Sequence, residues 1–380
     1  MKRTFTRSAT PLDLNRGIEW ILRSGIQSVD GGFFAWFDNE EERYSFLYPE
    51  ITGYAIRLLV QLYKTTRSER FLKNAISAGD WLLRIQRPAG SFYCKYFRGN
   101  RVDVLSYKDY DRTQYTFDAA ICLSALMDLF KAASYVKYLR SSKKIAEWLV
   151  KFQNQDGSIA AGYHPDHGII DAGRWSMTTG CHHLKDVIAL LKLYEQLGDE
   201  RYILSAKRLL EWGRKLQSKD GRFLIFPGNE ETYVHAHCYA VEGLLYAAKY
   251  LGDNTLMKRA VSGARWLSKI QNNDGSIWNW YNSKEDKIKV SDATTQALRI
   301  WLILEREGPV NFYTNIEKSL RFLSRMQCSI EDERAFGGVY YGERGRKKIK
   351  HVNTGVTIFA IHASLFRKEE GNPSLIDMLI

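Results

Sequence analysis

Five side chains that can carry out acid–base chemistry occur in four separate parts of the chain: Glu50, Asp118, His235 with His237, and Asp292. Two carboxyl groups that flank a glycosidic bond can hydrolyse it when one donates a proton and the other is ionised. A lyase or an epimerase instead needs a base beside the carbon that loses a proton, which a histidine or tyrosine supplies. These five residues are the catalytic candidates, and the sequence leaves hydrolysis, lyase and epimerase chemistry open.

Aromatic, amide and basic residues near these five are candidates for substrate binding. Aromatic faces stack on the apolar faces of sugar rings, while amides and carboxylates bind the hydroxyl groups. The substrate-binding candidates are Trp36, Tyr48, Tyr54, Tyr115, Arg174, His182, Trp278, Trp280, Gln296 and Asn353. Arginine binds carboxylates through paired hydrogen bonds, and Arg98, Arg101, Arg174 and the basic run 344–350 occur in the same regions. We therefore expect a saccharide ligand, and an anionic one.

A repeated pattern indicates which elements position these residues. An aromatic residue, a glutamine and a glycine recur six times in that order, with the glutamines 59, 67, 64, 54 and 56 residues apart. The glutamines are Gln27, Gln86, Gln153, Gln217, Gln271 and Gln327. A period of about 60 residues accommodates two helices of about 18 residues and their connections. The pattern thus predicts six helical hairpins.

Apolar residues at helical spacing locate the two helices of each hairpin. Outer helices, which carry the aromatic residue of the pattern, are predicted at 13–27, 69–86, 137–153, 199–217, 254–271 and 311–327. Inner helices are predicted at 46–63, 112–133, 175–198, 233–252, 289–307 and 351–369. We expect an all-α (α/α)6 toroid, a barrel of six helical hairpins forming a single domain over residues 1–380. In such a ring the N-terminal ends of the inner helices converge on one mouth, where the candidate residues can share a cavity.

The segments from glutamine to glycine have a structural explanation. In residues 153–158 and 271–276 an Asp-Gly pair predicts a turn in which glycine takes a positive φ. The glutamine amide can then bind the turn to the end of its helix. We expect these motifs to hold the fold together without performing chemistry.

Composition excludes several classes of function. The chain has 45% hydrophobic and 26% charged residues and no apolar stretch of 18 residues, so we expect a cytoplasmic protein without membrane insertion. The net charge of +12 is spread over the outer helices, where basic residues usually face solvent. No nucleic-acid-binding motif accompanies this charge, so no nucleic-acid partner is expected.

A zinc site is the main alternative use of the cysteines and histidines. The five cysteines include no CxxC pair. Potential ligands at neighbouring inner-helix openings are Cys181, His182, His183, His235, His237 and Cys238. Consecutive residues of a helix point about 100° apart, so at most one of the first three faces a given point. We expect neither a metal nor a cofactor.

The Gln-x-x-Asp-Gly-Ser repeats, with Trp266-Leu267 shortly before Gln271, resemble those of squalene-hopene cyclases and protein prenyltransferase β-subunits. This resemblance covers the whole chain and implies the toroid. It carries little information on chemistry, because the repeated residues are structural.

A narrower set of residues resembles α/α-toroid proteins of polysaccharide and glycan gene clusters. The residues that carry this resemblance are the run 48–54, Phe117-Asp118, His235 with Tyr239 and Gly243-Leu244, and Asp292 with Gln296. It implies a carbohydrate-related activity. Such toroids are also similar in overall form to unsaturated glucuronyl hydrolases and sugar epimerases.

Two other functions remain as alternatives. A terpenoid cyclase or prenyltransferase-like enzyme is disfavoured, because the chain has neither Asp-x-Asp-Asp nor Asp-Asp-x-x-Asp. The zinc-ligand pattern of a prenyltransferase also fails, since Cys181 lacks its aspartate and His235 is one position out of register. The second alternative is a non-catalytic protein that binds or assembles glycans with the same cavity.

Overall fold

Helices dominate the structure. The computed structural model describes residues 12–98, 112–308, 310–368 and 374–380. The α-helices in these ranges are α1 (Leu14–Arg23), α2 (Pro49–Thr66), α3 (Glu69–Ile85), α4 (Thr116–Ala133), α5 (Val136–Lys151), α6 (Asp186–Leu197), α7 (Glu200–Gly213), α8 (Val234–Leu251), α9 (Asn254–Ile270), α10 (Ser291–Glu307), α11 (Tyr313–Met326) and α12 (Thr354–Lys368). Short 3-10 helices at Cys181–Lys185 and Arg214–Leu216 precede α6 and follow α7.

The helices form two concentric layers. The even-numbered helices are the inner layer, and each packs against the next from α2 to α12, with α12 packing against α2. The odd-numbered helices are the outer layer and bury one face each; in α3 that face includes Phe71, Ala75, Ala78 and Leu82, at the spacing of an amphipathic helix. The predicted all-α (α/α)6 toroid is confirmed.

The six glutamines of the repeat connect neighbouring outer helices. Each side-chain Nε2 donates one hydrogen bond to the carbonyl oxygen of its own motif glycine and another to a carbonyl at the next outer helix, at 2.9–3.2 Å. The last of them, Gln327, reaches Asp13, the N-cap of α1. Helix α1 also packs against α12. The first and last helices therefore close the ring.

Each contact between two neighbouring outer helices is a seam of the ring. Glycine is required in the seams because the turn of one hairpin lies against the outer helix of the next. Gly275 has φ +91°, and an added Cβ would lie 1.9 Å from the carbonyl oxygen of Lys318 in α11. A side chain at this position would meet both backbone strain and a backbone clash. The motif residues are therefore structural, as their sequence indicates.

Short antiparallel strands occupy the connections between the helices. They are β1 (Trp36–Asp38), β2 (Arg43–Tyr44), β3 (Gln114–Tyr115), β4 (Gly162–His164), β5 (Gly168–Ile170), β6 (Thr232–Tyr233), β7 (Ile277–Trp278), β8 (Trp280–Tyr281), β9 (Lys289–Val290), β10 (Val339–Tyr340), β11 (Gly342–Arg344), β12 (Lys347–Lys348) and β13 (His351–Asn353). Their sheet orders are β10-β13-β1-β2, β12-β11-β9-β7, β3-β4-β5 and β6-β8. Strands β3, β6, β9 and β13 lead directly into inner helices, so the sheets fix the entry of those helices at the mouth of the ring.

The third inner helix differs from its predicted range of 175–198. Residues 175–180 form a loop, the 3-10 segment begins at Cys181, and α6 begins only at Asp186. Ser176 has φ +62°, which a helix does not permit, and the Cys181 amide donates a 3.0 Å hydrogen bond to the carbonyl of Ile225 outside the helix. The predicted end of the last inner helix, residue 369, lies outside the described residues.

The interior combines one large apolar cluster with a few buried charges. The apolar cluster extends through both helical layers, whereas Arg57, Lys185, Glu242 and Arg299 are buried among the inner helices. In the described residues, no helix is long and apolar enough to cross a membrane. The assignment of residues 1–380 to one domain stays a prediction.

Candidate active site

A cavity of about 130 Å³ lies where the N-terminal ends of the inner helices meet. The predicted site residues that line it are Trp36, Tyr48, Glu50, Tyr54, Tyr115, Asp118, His182, His235, Asp292 and Asn353. These residues come from all six inner-helix openings. The toroid therefore brings together side chains that are as much as 317 positions apart, from Trp36 to Asn353.

Glu50 is the second residue of α2 and is half-buried at the cavity wall. The Tyr239 hydroxyl donates a hydrogen bond of 3.4 Å to its Oε1 atom. Burial raises the pKa of Glu50 to about 7, while Tyr48, Lys185 and Tyr239 act in the opposite direction. Glu50 can therefore act as a proton donor near neutral pH.

Asp292 and His235 form a second acid–base group on the cavity wall. The Nδ1 atom of His235 lies 3.6 Å from Oδ2 of Asp292. Burial raises the pKa of Asp292 to about 7, while hydrogen bonds from the Ala293 backbone and the Tyr341 side chain oppose this shift. Burial, reinforced by the charge of Lys185, lowers the pKa of His235 to about 3. An uncharged imidazole thus stands beside a carboxyl group that exchanges protons near pH 7.

Asp118 lies in the first turn of α4, on another side of the cavity. Its Oδ1 atom accepts a hydrogen bond of 3.4 Å from the Tyr48 hydroxyl. Tyr48 also interacts with Glu50. The tyrosine therefore links the two carboxyl groups of α2 and α4.

His182 is an almost fully buried histidine that lines the same cavity. Its ring contacts those of Phe117 and Trp175, with centroids 5.4 and 5.1 Å away. Neither ring nitrogen has a hydrogen-bond partner among the described residues. A buried polar group of this kind is costly without a partner, which favours a ligand group at this position.

A wider vestibule of about 640 Å³ adjoins the cavity and leads to its mouth. Trp36, Trp175, Ser176, Tyr233, Tyr341 and Asn353 line both spaces. Two further substrate-binding candidates, Arg174 and Trp280, line the vestibule only. The rings of Trp175, Tyr233 and Trp280 follow one another with centroids 4.6 and 4.8 Å apart. These three rings form an aromatic wall.

His237, one of the five catalytic candidates, does not line the cavity. Its Nδ1 atom accepts a 3.0 Å hydrogen bond from the Phe223 amide, and its Nε2 atom lies 3.2 Å from the carbonyl of Gly263. Because the two histidines are two positions apart on α8, they face in different directions. The ring of His237 therefore serves the packing of α8 against α9.

Two of the substrate-binding candidates lie away from the cavity surface. Trp278 packs against Lys289, whose Nζ atom lies 5.8 Å from the ring centroid. Gln296 is fully buried behind His235, and its amide opposes the lowering of the His235 pKa. In this position Gln296 supports a cavity residue instead of lining the cavity.

The arginines that suggested an anionic ligand do not form one cluster. Arg98 pairs with Asp30 at 3.2 Å, and Arg344 pairs with Asp286 at 2.5 Å. Arg101 lies outside the described residues. Arg174 alone of this set lines the vestibule within the part of the chain that is described.

Several cavity residues were not among the sequence-based candidates: Trp175, Tyr233, Tyr239 and Tyr341. Three of them have an indirect sequence signal. Trp175 and Tyr233 precede polar inner-helix openings by a few residues, and Tyr239 is one helical turn after His235. A search for aromatic residues next to the polar openings finds them.

The model of the prenyltransferase alpha-alpha toroid domain matches residues 35–173 and 176–345. The chain belongs to this family. The family-level resemblance expected from the glutamine repeats is thus confirmed, while the narrower resemblance to toroids of glycan gene clusters stays a prediction. A comparison of this prenyltransferase-type toroid with curated protein sequences found no match.

Solved structures similar to this prenyltransferase-type toroid include enzymes named for their action on sugars. A sugar epimerase from a ruminal bacterium has a TM-score of 0.75 at 14% identity, over 92% of this chain and 96% of that one. Cellobiose 2-epimerase from Bacillus thermoamylovorans B4167 has a TM-score of 0.73 at 14% identity, over 94% and 98%. An unsaturated glucuronyl hydrolase specific for heparin has a TM-score of 0.71 at 12% identity, over 95% and 97%. At these identities the similarity shows a common fold.

Proposed function

We propose that this protein is a carbohydrate-active enzyme that binds the end of a saccharide in the inner cavity and transfers protons to and from it. The observation that carries the proposal is the arrangement of Glu50, Asp292 and His235 around one cavity. Both carboxyl groups have a pKa near 7, and the histidine is uncharged at neutral pH. A site of this kind contains a proton donor and a proton acceptor at the same pH.

Glu50, Asp292 and His235 suit the three reactions that the sequence leaves open, which are hydrolysis, elimination and epimerisation. Hydrolysis requires a protonated carboxyl group on one side of the glycosidic bond and an ionised one on the other. With two carboxyl groups that titrate near pH 7, a singly protonated pair is well populated. Epimerisation and elimination require a base at a C–H bond and an acid for the neighbouring oxygen, roles that suit His235 and Glu50.

The vestibule supports a saccharide longer than one ring. Its aromatic wall of Trp175, Tyr233 and Trp280 continues outward from the cavity mouth. Sugar rings stack on such surfaces through their C–H faces. We propose that the terminal sugar enters the cavity and that the following units lie along this wall.

We propose that the ligand is anionic but carries only a single negative charge. Arg174 lines the vestibule, but so do Glu231 and Glu285. A highly charged polyanion would be repelled by those two carboxylates. We propose a saccharide with a single carboxylate that binds Arg174 through paired hydrogen bonds.

Proteins with this fold have names that refer to two different kinds of chemistry. The family name refers to prenyltransferases, whereas the similar solved structures are named as sugar epimerases and glucuronyl hydrolases. The sequence lacks the aspartate motifs of terpenoid cyclases. The free, buried cysteines agree with the cytoplasmic location that we propose for the enzyme.

The experiment is an incubation of the protein in D2O with cellobiose and with an unsaturated glucuronyl disaccharide, followed by proton NMR. We expect turnover of one of them: deuterium at a ring carbon identifies epimerisation and a new reducing end identifies hydrolysis, while a third sample with a saturated 4-linked uronic-acid oligosaccharide tests for a lyase, which creates a C4–C5 double bond. Glu50→Gln should abolish the reaction.

Thermal-shift measurements with the same sugars and with farnesyl diphosphate separate the alternatives. Stabilisation by a sugar without any product would favour the glycan-binding protein. Stabilisation by the diphosphate alone would overturn the carbohydrate proposal in favour of prenyl chemistry.

A further inference from the structure

Lys185 is a fully buried lysine immediately beneath the cavity. It ends the 3-10 segment that precedes α6, and its Nζ atom lies 2.6 Å from Oε2 of Glu242 in α8. Arg299 of α10 lies 2.8 Å from the other oxygen of the same carboxylate. The segment is held tightly against α8, since a Cβ on Gly243 would lie 2.0 Å from the carbonyl oxygen of Leu184. The position of the Lys185 ammonium group is therefore fixed by its backbone and by its ion pair.

The ammonium group lies against three aromatic rings that line the cavity. Its Nζ atom is 4.9 Å from the ring centroid of Tyr54, 4.6 Å from that of Tyr239 and 5.7 Å from that of Phe359. The Tyr54 and Tyr239 rings are nearly parallel, with an interplanar angle of 9°. Cations are attracted to aromatic faces, and more strongly where water is excluded. These rings form the floor of the cavity, with the charge directly below it.

One of these rings connects the charge to an acid of the site. The Tyr239 hydroxyl donates the 3.4 Å hydrogen bond to Oε1 of Glu50. The contacts therefore run without interruption from Glu242 through Lys185 and Tyr239 to Glu50. In this series the cation lies against the ring of Tyr239, and the hydroxyl group of the same ring binds the carboxyl group.

Other ionisable groups also face Lys185. They are Glu242, Tyr239, His235 and Cys238 of α8, Arg299 of α10, Arg57, Glu50 and Tyr54 of α2, His362 of α12, and Asp186, which follows it in the chain. Burial lowers the pKa of Lys185 to about 7, although Glu242 opposes this shift. The Lys185 ammonium group beneath the cavity floor therefore loses its proton in the same pH range as the Glu50 carboxyl group.

We propose that Lys185 is a positioning residue for the proposed reaction: anchored by Glu242, its ammonium group orients Tyr239 beneath Glu50 and favours the ionised form of that carboxyl group. The part of this inference that concerns the reaction rests on the proposed function. The part that concerns the proton on Glu50 is independent of any substrate.

The test measures the titration of Glu50 directly, with protein carrying 13C at the glutamate side-chain carboxyl. The Glu50 signal is the one absent from Glu50→Gln. Lys185→Met should raise the Glu50 titration midpoint by about one pH unit, because an opposite charge at short range has been removed. Lys192→Met is the matched control: Lys192 is also buried and paired, but with Asp128, away from the cavity.

An unchanged midpoint in Lys185→Met, with a loss of thermal stability like that of Lys192→Met, would show that Lys185 has only a structural role. If Lys185→Met does not fold, Lys185→Arg takes its place, because a guanidinium group remains charged throughout the titration. Its Glu50 midpoint should lie at or below that of the unaltered protein, and a higher one contradicts the inference. A shifted midpoint in a protein that turns over no sugar would refute the proposed function alone.

Discussion

The Nδ1 atom of His235 lies 3.6 Å from Oδ2 of Asp292, and both side chains line the inner cavity. The same burial acts on the two groups in opposite directions, because it disfavours the charged form of each. The pKa of Asp292 rises to about 7 and that of His235 falls to about 3. Near neutral pH the pair therefore contains a free base and an acid that is partly protonated.

This arrangement predicts how turnover depends on pH. If a protonated carboxyl group is required, the rate should fall as the pH rises above about 7, the pKa of Glu50 and of Asp292. If the other carboxyl group must be ionised, the rate should also fall below pH 7 and give a bell-shaped profile. If His235 is the base, the rate should stay high down to about pH 4. A rate that increases steadily above pH 8 would contradict all three assignments.

Glu50→Gln should change the pH dependence of stability. The pKa of Glu50 is raised by burial from 4.5 to about 7 in the folded protein, so the folded state binds more protons than the unfolded state between these values. Stability from this group is present at low pH and is lost as the pH rises through 7. At pH 8 the amide variant should be more stable, by up to roughly 2–3 kcal/mol. Urea unfolding at pH 5 and 8 measures the difference, and an equal effect at both pH values would contradict it.

His235→Ala and His237→Ala form a matched pair on α8. His235→Ala should abolish turnover and lower the free energy of unfolding by about 1 kcal/mol or less, because the lost ring faces a cavity. His237→Ala should retain activity below its melting temperature. Its free energy of unfolding should fall by roughly 2–3 kcal/mol, because the Phe223 amide and the Gly263 carbonyl lose their hydrogen-bond partner. Denaturation curves and rates at 20 °C distinguish the two. Loss of activity in a folded His237→Ala variant would place that residue in the site after all.

Gly275→Ala and Gly252→Ala separate a close contact from backbone strain. Both glycines have positive φ, +91° and +67°, but an added Cβ at Gly275 would lie 1.9 Å from Lys318 O and at Gly252 it meets nothing within 4 Å. Gly252→Ala should cost about 1 kcal/mol, the strain of the left-handed region. Gly275→Ala should cost at least about 2 kcal/mol more. Similar urea unfolding midpoints for the two variants would show that the backbone at this seam shifts to accommodate the methyl group at little cost in stability.

Chelator treatment should leave folding and turnover unchanged. In the described ranges no three histidine, cysteine, aspartate or glutamate side chains are arranged to hold a metal ion. The buried Cys181 thiol has its pKa raised by burial, which opposes the thiolate form that binds zinc. Melting curves with and without EDTA, together with metal analysis, provide the check. Stoichiometric zinc that is lost in His235→Ala would revive the zinc hypothesis.

The fold could be predicted from the sequence because its determinants are local and repeated. The spacing of Gln153 and Gly157, for example, specifies a helix end and a turn, and the same spacing recurs around the chain. The start of the third inner helix could not be predicted in this way. The contact of Cys181 with Ile225 that fixes it joins residues 44 positions apart, and no local pattern reports such a contact.

The candidate site was predictable where a residue stands in the first turn of an inner helix. Glu50 and Asp292 satisfy this condition, and both line the cavity. The sequence did not give the side of the helix on which each side chain lies. His237 is in the same first turn of α8 as His235, but its side chain faces α9. Lys185 was missed for another reason, since its partner Glu242 is 57 residues away and only the fold brings them together. The roles of all these residues stay proposals.

The hydrogen bond from Gln327 to Asp13 is of the same kind as the five that join the other outer helices. In a linear array of repeats, each terminal unit has one neighbour and can fray without disturbing the rest. In this ring every hairpin has two neighbours, so opening one of them breaks two seams. Since the described hairpins leave no terminal repeat from which to fray, we expect the scaffold around the cavity to unfold cooperatively.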